Sequence, residues 1–297
     1  MPQDEAIVIA TYSRRMRLRL SSGDEVDARI KGKRLKPVCG DRVIVEPIDD
    51  ESDWLITAIL DRDNALDRPN MRGKTEVLAA NVELLLVVAA GSPEPDWFIV
   101  DRYLCAAENM GVPAAVIYNK SDLDDDEVKF QSALRDYERI DYPTVRCSAK
   151  TGSRLDEVHS IIRGKTGIIV GQSGVGKSSI INELKGGDRQ RTAAISDKTG
   201  EGRHTTANSV MLALPGGGAV IDSPGVRDYA PALRSAPQVI QGFREVENAG
   251  HGCRFANCRH LREPGCAVKA AVDNESISAR RYESYRRLLN LTEKLKT

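Results

Sequence analysis

The feature that most constrains the fold of this chain is a glycine-rich loop in its second half. Residues 171–178 read Gly-Gln-Ser-Gly-Val-Gly-Lys-Ser and fit the pattern G-x-x-x-x-G-K-[ST] at every fixed position. An apolar strand candidate, residues 167–170, precedes the loop, and a helical segment, residues 179–184, follows it. Such a loop directs several backbone N–H groups at phosphates, and the helix N-terminus adds its positive end. The sequence therefore predicts an α/β nucleotide-binding fold.

Two side chains of this loop have chemical roles of their own. We expect Lys177 to reach the β- and γ-phosphates and the Ser178 hydroxyl to ligate Mg²⁺. The other expected phosphate-site residues are Gly171, Gln172, Ser173, Gly174, Val175, Gly176 and Ser179.

A base-recognition segment, residues 119–122, follows a strand candidate that ends at Tyr118. Asp122 can accept two hydrogen bonds from the ring N–H and amino group of guanine, whereas adenine would present an acceptor to it. Asn119 can contact the other edge of the base, and the stem of Lys120 can pack along the ring. Alone, these four residues could equally cap a helix. Next to a phosphate loop they predict guanine.

A second base-recognition segment, residues 148–150, also follows a strand candidate. The backbone N–H of Ala149, between Ser148 and Lys150, would bond to the guanine oxygen. The tripeptide carries little information by itself.

Two further segments are typical of GTPase switches. In residues 222–225, which fit D-x-x-G, Asp222 would hold Mg²⁺ through water and the Gly225 N–H would contact the γ-phosphate. Residues 202–206 lie between this motif and the phosphate loop, and either Thr205 or Thr206 could close over Mg²⁺.

The order of these segments is unusual. In ordinary GTPases the phosphate loop comes first, but here both base-recognition segments precede it and both switches follow it. The same sheet can form if the old termini are joined and the chain is opened elsewhere. The sequence thus predicts a circularly permuted α/β P-loop GTPase domain over residues 68–230, whose second switch leads directly into the C-terminal segment.

The first 67 residues predict a different structure. Short alternating segments, such as residues 15–20, and turn signals at Gly23 and Gly40 favour a small β-barrel of the oligonucleotide-binding (OB-fold) type. A basic loop on this barrel is either an RNA contact or an ordinary solvated surface; it comprises Arg29, Lys31, Lys33, Arg34 and Lys36. Residues 231–297 carry a net charge of +5, which favours a polyanionic partner if it is not a chance fluctuation.

The C-terminal segment, residues 231–297, predicts a mostly helical domain with a metal site. Cys253, Cys258, His260 and Cys266 supply three thiolates and an imidazole, the ligand set of a closed structural Zn²⁺ site. The spacing is not the common C-x2-C pair, so free thiols beside a surface histidine are the alternative.

Composition excludes several classes of protein. With 41% hydrophobic and 29% charged residues, the chain can build real cores and is not a disordered polyelectrolyte. The acidic start lacks the pattern of a signal peptide, and the longest apolar run, residues 84–90, is too short to span a bilayer. We expect a cytoplasmic monomer with no membrane partner.

Together these segments resemble one family, RsgA (also called YjeQ or EngC), bacterial GTPases of small-subunit ribosome biogenesis. The matching stretches are residues 119–122, 148–150, 171–179, 202–206 and 222–227 and the cysteine–histidine cluster. The resemblance covers nearly the whole chain. It implies an OB-fold barrel, a permuted GTPase and a zinc-binding helical domain, with GTP/GDP, Mg²⁺ and one structural Zn²⁺ as cofactors.

The resemblance also implies a role. It points to a GTPase that binds 16S rRNA on the 30S subunit, assists late maturation, is stimulated by the subunit and leaves on hydrolysis. An RNA-binding chaperone that uses GTP only as a conformational ligand is one alternative. A permuted GTPase serving the large subunit or another RNA is a second.

The catalytic group is the least constrained part of the site. Valine occupies position 226, where Ras-like proteins carry a glutamine that orients the attacking water. Another group must do this, and His204 is the nearest candidate by sequence; a structural or RNA-contacting histidine is the alternative. Ala207 stands where family members often carry a further threonine, which leaves the choice between Thr205 and Thr206 open.

The assignment of His204 predicts a kinetic effect. In His204→Ala, kcat should fall while nucleotide affinity holds, because the residue would act on water and not on the bound nucleotide. Turnover and GDP-binding measurements check this, and unchanged turnover would remove the assignment.

Overall fold

The chain begins with a small β-barrel. The structure, a computed structural model, describes residues 3–13, 15–32, 34–69, 75–123, 127–186, 209–223 and 235–294. The barrel strands are β1 (Asp4–Thr11), β2 (Met16–Leu20), β3 (Glu25–Ile30), β4 (Arg42–Pro47) and β5 (Trp54–Ile59). They pair in the order β1-β2-β3-β5-β4, and the barrel closes because β4 also pairs with β1. The predicted N-terminal five-stranded barrel is confirmed.

Alternating side chains explain why these segments form a barrel. On β2, Met16, Leu18 and Leu20 are buried in the barrel core, as the period of two predicts. Arg17 and Arg19 face the other side, where they pair with carboxylates of β3. Fully burying each aliphatic side chain contributes about 1.5–3 kcal/mol, whereas the exposed ion pairs add about 0–1 kcal/mol each. Packing inside the barrel therefore dominates its stability.

A hairpin connects the barrel to the rest of the chain. It consists of β6 (Ala65–Pro69) and β7 (Thr75–Ala80), which pair antiparallel, so the expected domain boundary at residue 67 falls within β6. Gly40 of the barrel approaches this hairpin closely, at φ 92°, and a Cβ there would lie 2.1 Å from the carbonyl oxygen of Ala80. Asn81 donates a hydrogen bond to the Gly40 carbonyl at 2.9 Å. The hairpin thus fixes the barrel against the following domain.

The central sheet is a parallel α/β sheet with one antiparallel edge. Its strands are β8 (Leu84–Ala90), β9 (Ala114–Asn119), β10 (Thr144–Arg146), β11 (Thr166–Gly171), β12 (Ser209–Ala213) and β13 (Ala219–Asp222). They lie in the order β10-β9-β8-β11-β13-β12, and only β12 pairs antiparallel, with β13. Every residue of β8 is buried, as expected for a strand covered on both faces.

Helices cover both faces of this sheet. They are α1 (Trp97–Met110), α2 (Glu127–Glu138), α3 (Leu155–Ile162) and α4 (Lys177–Leu184), and a 3₁₀ turn spans Ser121–Leu123. Asp96 caps the N-terminus of α1, where its side chain accepts a hydrogen bond from the Phe98 N–H, and Gly111 caps the C-terminus in the left-handed conformation. Tyr103 and Leu104 of α1 are completely buried in the core on one face. The predicted α/β domain is confirmed.

The C-terminal segment is helical and packs on α1. Its helices are α5 (Ala236–Gln241), α6 (Arg244–Gly250), α7 (Ala267–Asp273) and α8 (Ala279–Lys294). The rings of Phe243 and Tyr285 meet edge to face at 5.6 Å in its core. A Cβ at Gly242 would lie 1.9 Å from the Cys105 sulfur, so glycine allows α5 to approach α1. Among the residues described, no helix is long and apolar enough to cross a bilayer.

The barrel and the central sheet share hydrogen-bonded strands. The end of β1 pairs antiparallel with the start of β12, with Ala10 opposite Val210 and Thr11 opposite Ser209. The two structures therefore form one continuous eleven-stranded sheet.

Buried charges attach α8 to α1. Arg281 is 1% exposed and donates to Asp101 on α1 at 2.8 Å and to Glu245 on α6 at 2.8 Å. Asp101 is fully buried and also pairs with Arg280 at 3.1 Å. Because each charge has a hydrogen-bonded partner of opposite sign, the group is tolerated in the interior; the loss of one member would leave a buried charge uncompensated.

This arrangement predicts a large stability difference between two arginines of the same helix. Arg281→Met should lower the free energy of unfolding by about 3–5 kcal/mol, because it leaves Glu245 buried without its guanidinium partner and Asp101 with one arginine instead of two. Arg286→Met, which removes an exposed pair with Glu283, should change it by no more than about 1 kcal/mol. Urea unfolding of both variants measures this. Similar losses in the two would contradict the role of the buried network.

Candidate functional site

The glycine-rich loop lies in the middle of the sheet, where β11 ends and α4 begins. Gly176 caps the helix at φ 92°, and a Cβ there would lie 2.3 Å from the Asn119 side-chain nitrogen. The Lys177 ammonium donates to the carbonyl oxygens of Gly171 and Gln172, both at 2.7 Å. The lysine is thereby held over the mouth of the loop.

The remaining residues of the loop divide between solvent and core. Ser173, Gly174, Ser178 and Ser179 are exposed. Val175 is completely buried in the core beneath the loop. The hydroxyls of Ser178 and Ser179 are therefore accessible at the N-terminal end of α4, where anions bind favourably.

The side chain of Asn119 connects three of the predicted segments. Its amide nitrogen donates to the Val175 carbonyl of the glycine-rich loop at 2.9 Å, and its amide oxygen accepts from the Ala149 N–H at 3.0 Å. Asn119 is 1% exposed, so both bonds are shielded from water. The structure thus brings residues 119–122, 148–150 and 171–178 together at the carboxyl ends of the parallel strands. These bonds use one of the two N–H groups of the Asn119 amide, and contact of the other with a base stays a prediction.

Asp122 is positioned by the second base-recognition segment. The Ser148 hydroxyl donates to its carboxylate at 2.5 Å, and the Lys150 ammonium lies 3.7 Å from the other carboxylate oxygen. The Ser148 hydrogen bond holds the pKa of the Asp122 carboxyl below its usual value, and Lys150 adds to the effect. The Asp122 carboxylate is therefore ionised at neutral pH, which suits a carboxylate that accepts hydrogen bonds from a base.

The loop at residues 91–96, which the sequence analysis did not identify, also contacts the site. It connects β8 to α1, and its Ser92 carbonyl accepts a hydrogen bond from the Lys120 ammonium at 2.8 Å. The Asp96 N–H donates to the Gln172 side chain at 3.2 Å. One signal could have located it: the loop follows a parallel strand next to β11, and ligands bind at the carboxyl ends of such strands.

Asp222 lies at the end of β13, beside the strand that carries the glycine-rich loop. The next residue, Ser223, shares a hydrogen bond with Ser209 at 2.9 Å between the two hydroxyls. The other predicted switch residues, His204, Thr205, Thr206 and Gly225, lie outside the described residues.

The cysteine–histidine cluster forms a compact set of donors. The donor atoms of Cys253, Cys258, His260 and Cys266 all lie within 4.8 Å of one another. The sulfurs of Cys253 and Cys266 are 3.9 Å apart, and each lies 3.5 Å from the His260 Nδ1. Tetrahedral Zn²⁺ with ordinary bond lengths separates two thiolates by about 3.8 Å and a thiolate from an imidazole nitrogen by about 3.6 Å. The four residues therefore fit Zn²⁺.

Neighbouring residues fix the backbone of this cluster. The hydroxyls of Tyr282 and Tyr285 on α8 donate to the carbonyls of His260 and Arg259. The Glu263 carboxylate accepts hydrogen bonds from the backbone N–H groups of three residues, 259, 261 and 262. Burial alone would raise the pKa of the Glu263 carboxyl, but the hydrogen bonds have the larger combined effect, and the pKa is lowered to about 2. The turn that carries the ligands is thus held by charge-assisted hydrogen bonds.

Comparison with known proteins agrees with this geometry. A family model described as RsgA GTPase matches residues 59–231. The small ribosomal subunit biogenesis GTPase RsgA of Marinobacter nauticus is 37% identical over 296 residues, covering 97% of this chain and 84% of that protein. The crystal structure of YjeQ from Thermotoga maritima has a TM-score of 0.77 and 29% identity, covering 98% and 99% of the two chains. YloQ, described as a circularly permuted GTPase, shares the fold with a TM-score of 0.75.

The fold and the site define the protein as a circularly permuted GTPase, with base-recognition segments that precede the phosphate loop in sequence and meet it in space. Such an enzyme uses GTP, GDP and Mg²⁺. The chain belongs to the RsgA GTPase family, as its sequence motifs predicted.

The cluster geometry predicts bound zinc. Purified protein should contain about one Zn²⁺ per chain, and Cys258→Ala should lose it, because three ligands hold the ion far less firmly than four. Elemental analysis measures the metal, and the loss should lower the melting temperature. Cys39→Ala, which removes a buried thiol of the barrel region, should keep its zinc. Retention of zinc by Cys258→Ala would contradict the assignment.

Proposed function

We propose that this protein binds GTP, hydrolyses it with Mg²⁺, and uses the cycle to assist late maturation of the small ribosomal subunit while bound to 16S rRNA. It would act as a cytoplasmic monomer and leave the subunit on hydrolysis. The observation that carries the GTP part of the proposal is the Asn119 side chain, which joins both base-recognition segments to the phosphate loop.

The proposed roles of the site residues follow from their positions. Asp122 would accept hydrogen bonds from guanine, the Ala149 N–H would donate to the guanine oxygen, and the Lys120 stem would pack along the ring. Lys177 and the loop N–H groups would bind the phosphates, and Ser178 with Asp222 would hold Mg²⁺. A single structural Zn²⁺ on the cysteine–histidine cluster would stabilise the C-terminal domain.

The hydrolytic step needs a group that positions water. His204 remains our proposed catalytic residue, and either Thr205 or Thr206 would complete the Mg²⁺ site with Gly225 near the γ-phosphate. The sequence supports this proposal through Val226, which cannot hydrogen-bond to water.

Charge supports an RNA partner more at the C-terminal domain than at the barrel. Residues 231–297 carry a net charge of +5, whereas residues 1–67 carry −3, and Arg287 of α8 is exposed. On the barrel, Arg29 pairs with Glu51 and Asp53, which reduces its capacity to neutralise phosphate. The Marinobacter nauticus relative carries small-subunit biogenesis in its name. Domains at residues 1–67 and 231–297 would thus contact rRNA on either side of a GTPase at 68–230.

One experiment tests the proposal on the full chain. GTP turnover and co-sedimentation are measured with purified 30S or 50S subunits. We expect the protein to bind 30S but not 50S subunits, and 30S subunits to stimulate its GTP turnover. Binding should weaken steeply with salt, because the protein would contact phosphates. An absence of stimulation would favour the RNA-binding chaperone, and stimulation by 50S subunits would favour a large-subunit role.

A matched variant tests the guanine contact in the same assay. Asp122→Asn replaces an acceptor with an amide, so GTP binding should weaken at least about 100-fold. Xanthosine triphosphate, which has a carbonyl where guanine has its amino group, should bind instead. Unchanged GTP use by this variant would contradict the site.

A further inference from the structure

The hydroxyl groups of Ser209 and Ser223 form a buried pair at the end of a two-stranded ladder. Strand β12 pairs antiparallel with β13, and the register places Val210 opposite Asp222. One step further along the ladder, the Ser209 hydroxyl donates to the Ser223 hydroxyl at 2.9 Å. Both residues are 7% exposed. A hydroxyl buried to this degree depends on its partner, because water cannot readily replace the bond.

The position of this pair along the chain connects two motifs. Ser223 directly follows Asp222, the proposed Mg²⁺ residue of the D-x-x-G motif. Ser209 comes three residues after Thr206, which is the last residue of the segment proposed to close over the same ion. The pair therefore joins β13, which leads into the motif at residues 222–225, to β12, which follows the motif at residues 202–206.

The strand that carries Ser209 is also fixed from its other side. Thr11, at the end of barrel strand β1, lies opposite Ser209 in an antiparallel register. Ser209 is thus held between the barrel and β13, and it cannot easily follow a displacement of Ser223. An anchor of this kind restricts the direction in which the chain leaves Asp222.

We propose that the Ser209–Ser223 hydroxyl pair positions Asp222 for Mg²⁺ binding during GTP hydrolysis. The two serines touch neither nucleotide nor metal; they act through the backbone of the adjacent residue. Because small displacements of a catalytic constellation reduce the rate strongly, the loss of either hydroxyl weakens the response to Mg²⁺. This inference rests on the Mg²⁺ role of Asp222 given under the proposed function.

The test is the Mg²⁺ dependence of GTP hydrolysis by the full chain. Ser209→Ala and Ser223→Ala should each raise the Mg²⁺ concentration for half-maximal rate about fivefold or more, the effect of losing one buried hydrogen bond. The double variant should be no worse than Ser209→Ala alone, because that substitution has already removed the bond to Ser223. GDP affinity without Mg²⁺ should stay at the wild-type level.

Two further variants separate positioning from folding. Ser223→Cys keeps the side-chain volume but has only a weak S–H donor, so it should shift the Mg²⁺ dependence while the melting temperature stays near that of the wild type. Ser160→Ala removes an exposed hydroxyl on α3 that bonds to the Asp156 carbonyl, and it should behave as wild type in both measurements.

The outcomes distinguish this inference from the proposed function. If Asp222→Asn shifts the Mg²⁺ dependence but the serine variants do not, the inference is wrong and the Mg²⁺ role of Asp222 stands. If Asp222→Asn has no effect, that role itself is wrong and the inference falls with it. The proposal would also be overturned if the shift in Mg²⁺ dependence of the double serine variant equalled the product of the two single shifts.

Discussion

The buried side-chain amide of Asn119 is the contact on which the nucleotide site depends. It bonds to Ala149, 30 residues away, and to Val175, 56 residues away, with almost no exposure to water. An amide placed there with a missing partner would cost about 1–3 kcal/mol. The absence of a Cβ at Gly176 leaves the space that this amide occupies. Three segments are therefore held in one arrangement, whatever their order along the chain.

Features with fixed local spacing could be predicted from the sequence. The phosphate loop was recognisable because its glycines, Lys177 and Ser178 have roles set by neighbours a few positions away. The cysteine–histidine cluster was recognisable for the same reason, and its donors do converge. The three other cysteines, Cys39, Cys105 and Cys147, lie far apart in the sequence, and all three are completely buried. Burial raises the pKa of the Cys147 thiol to about 12, which keeps it protonated and unreactive.

Contacts between distant segments could not be predicted in this way. Asp101 lies on a helix where a carboxylate is ordinarily solvated, and its burial depends on Arg281, 180 residues further along the chain. The pairing of β1 with β12 depends on backbone groups, which carry no sequence signal. Asn119 was expected to contact the base, which stays a prediction; that its amide also joins the surrounding loops had no local signal in the sequence. The interpretation of His204 remains a prediction from sequence, because this residue lies outside the described part of the chain.

The buried network at α1 also limits how such a protein can be rearranged in evolution. A gene fragment ending before α5 would encode a GTPase in which Asp101 has lost both of its arginine partners. The same fragment would uncover Cys105 and the helix face that Gly242 now contacts. Recombination that exchanged the C-terminal helices for an unrelated module would need a matching guanidinium at the same place. The GTPase domain and the C-terminal helices that carry the cysteine–histidine cluster are therefore expected to be inherited together.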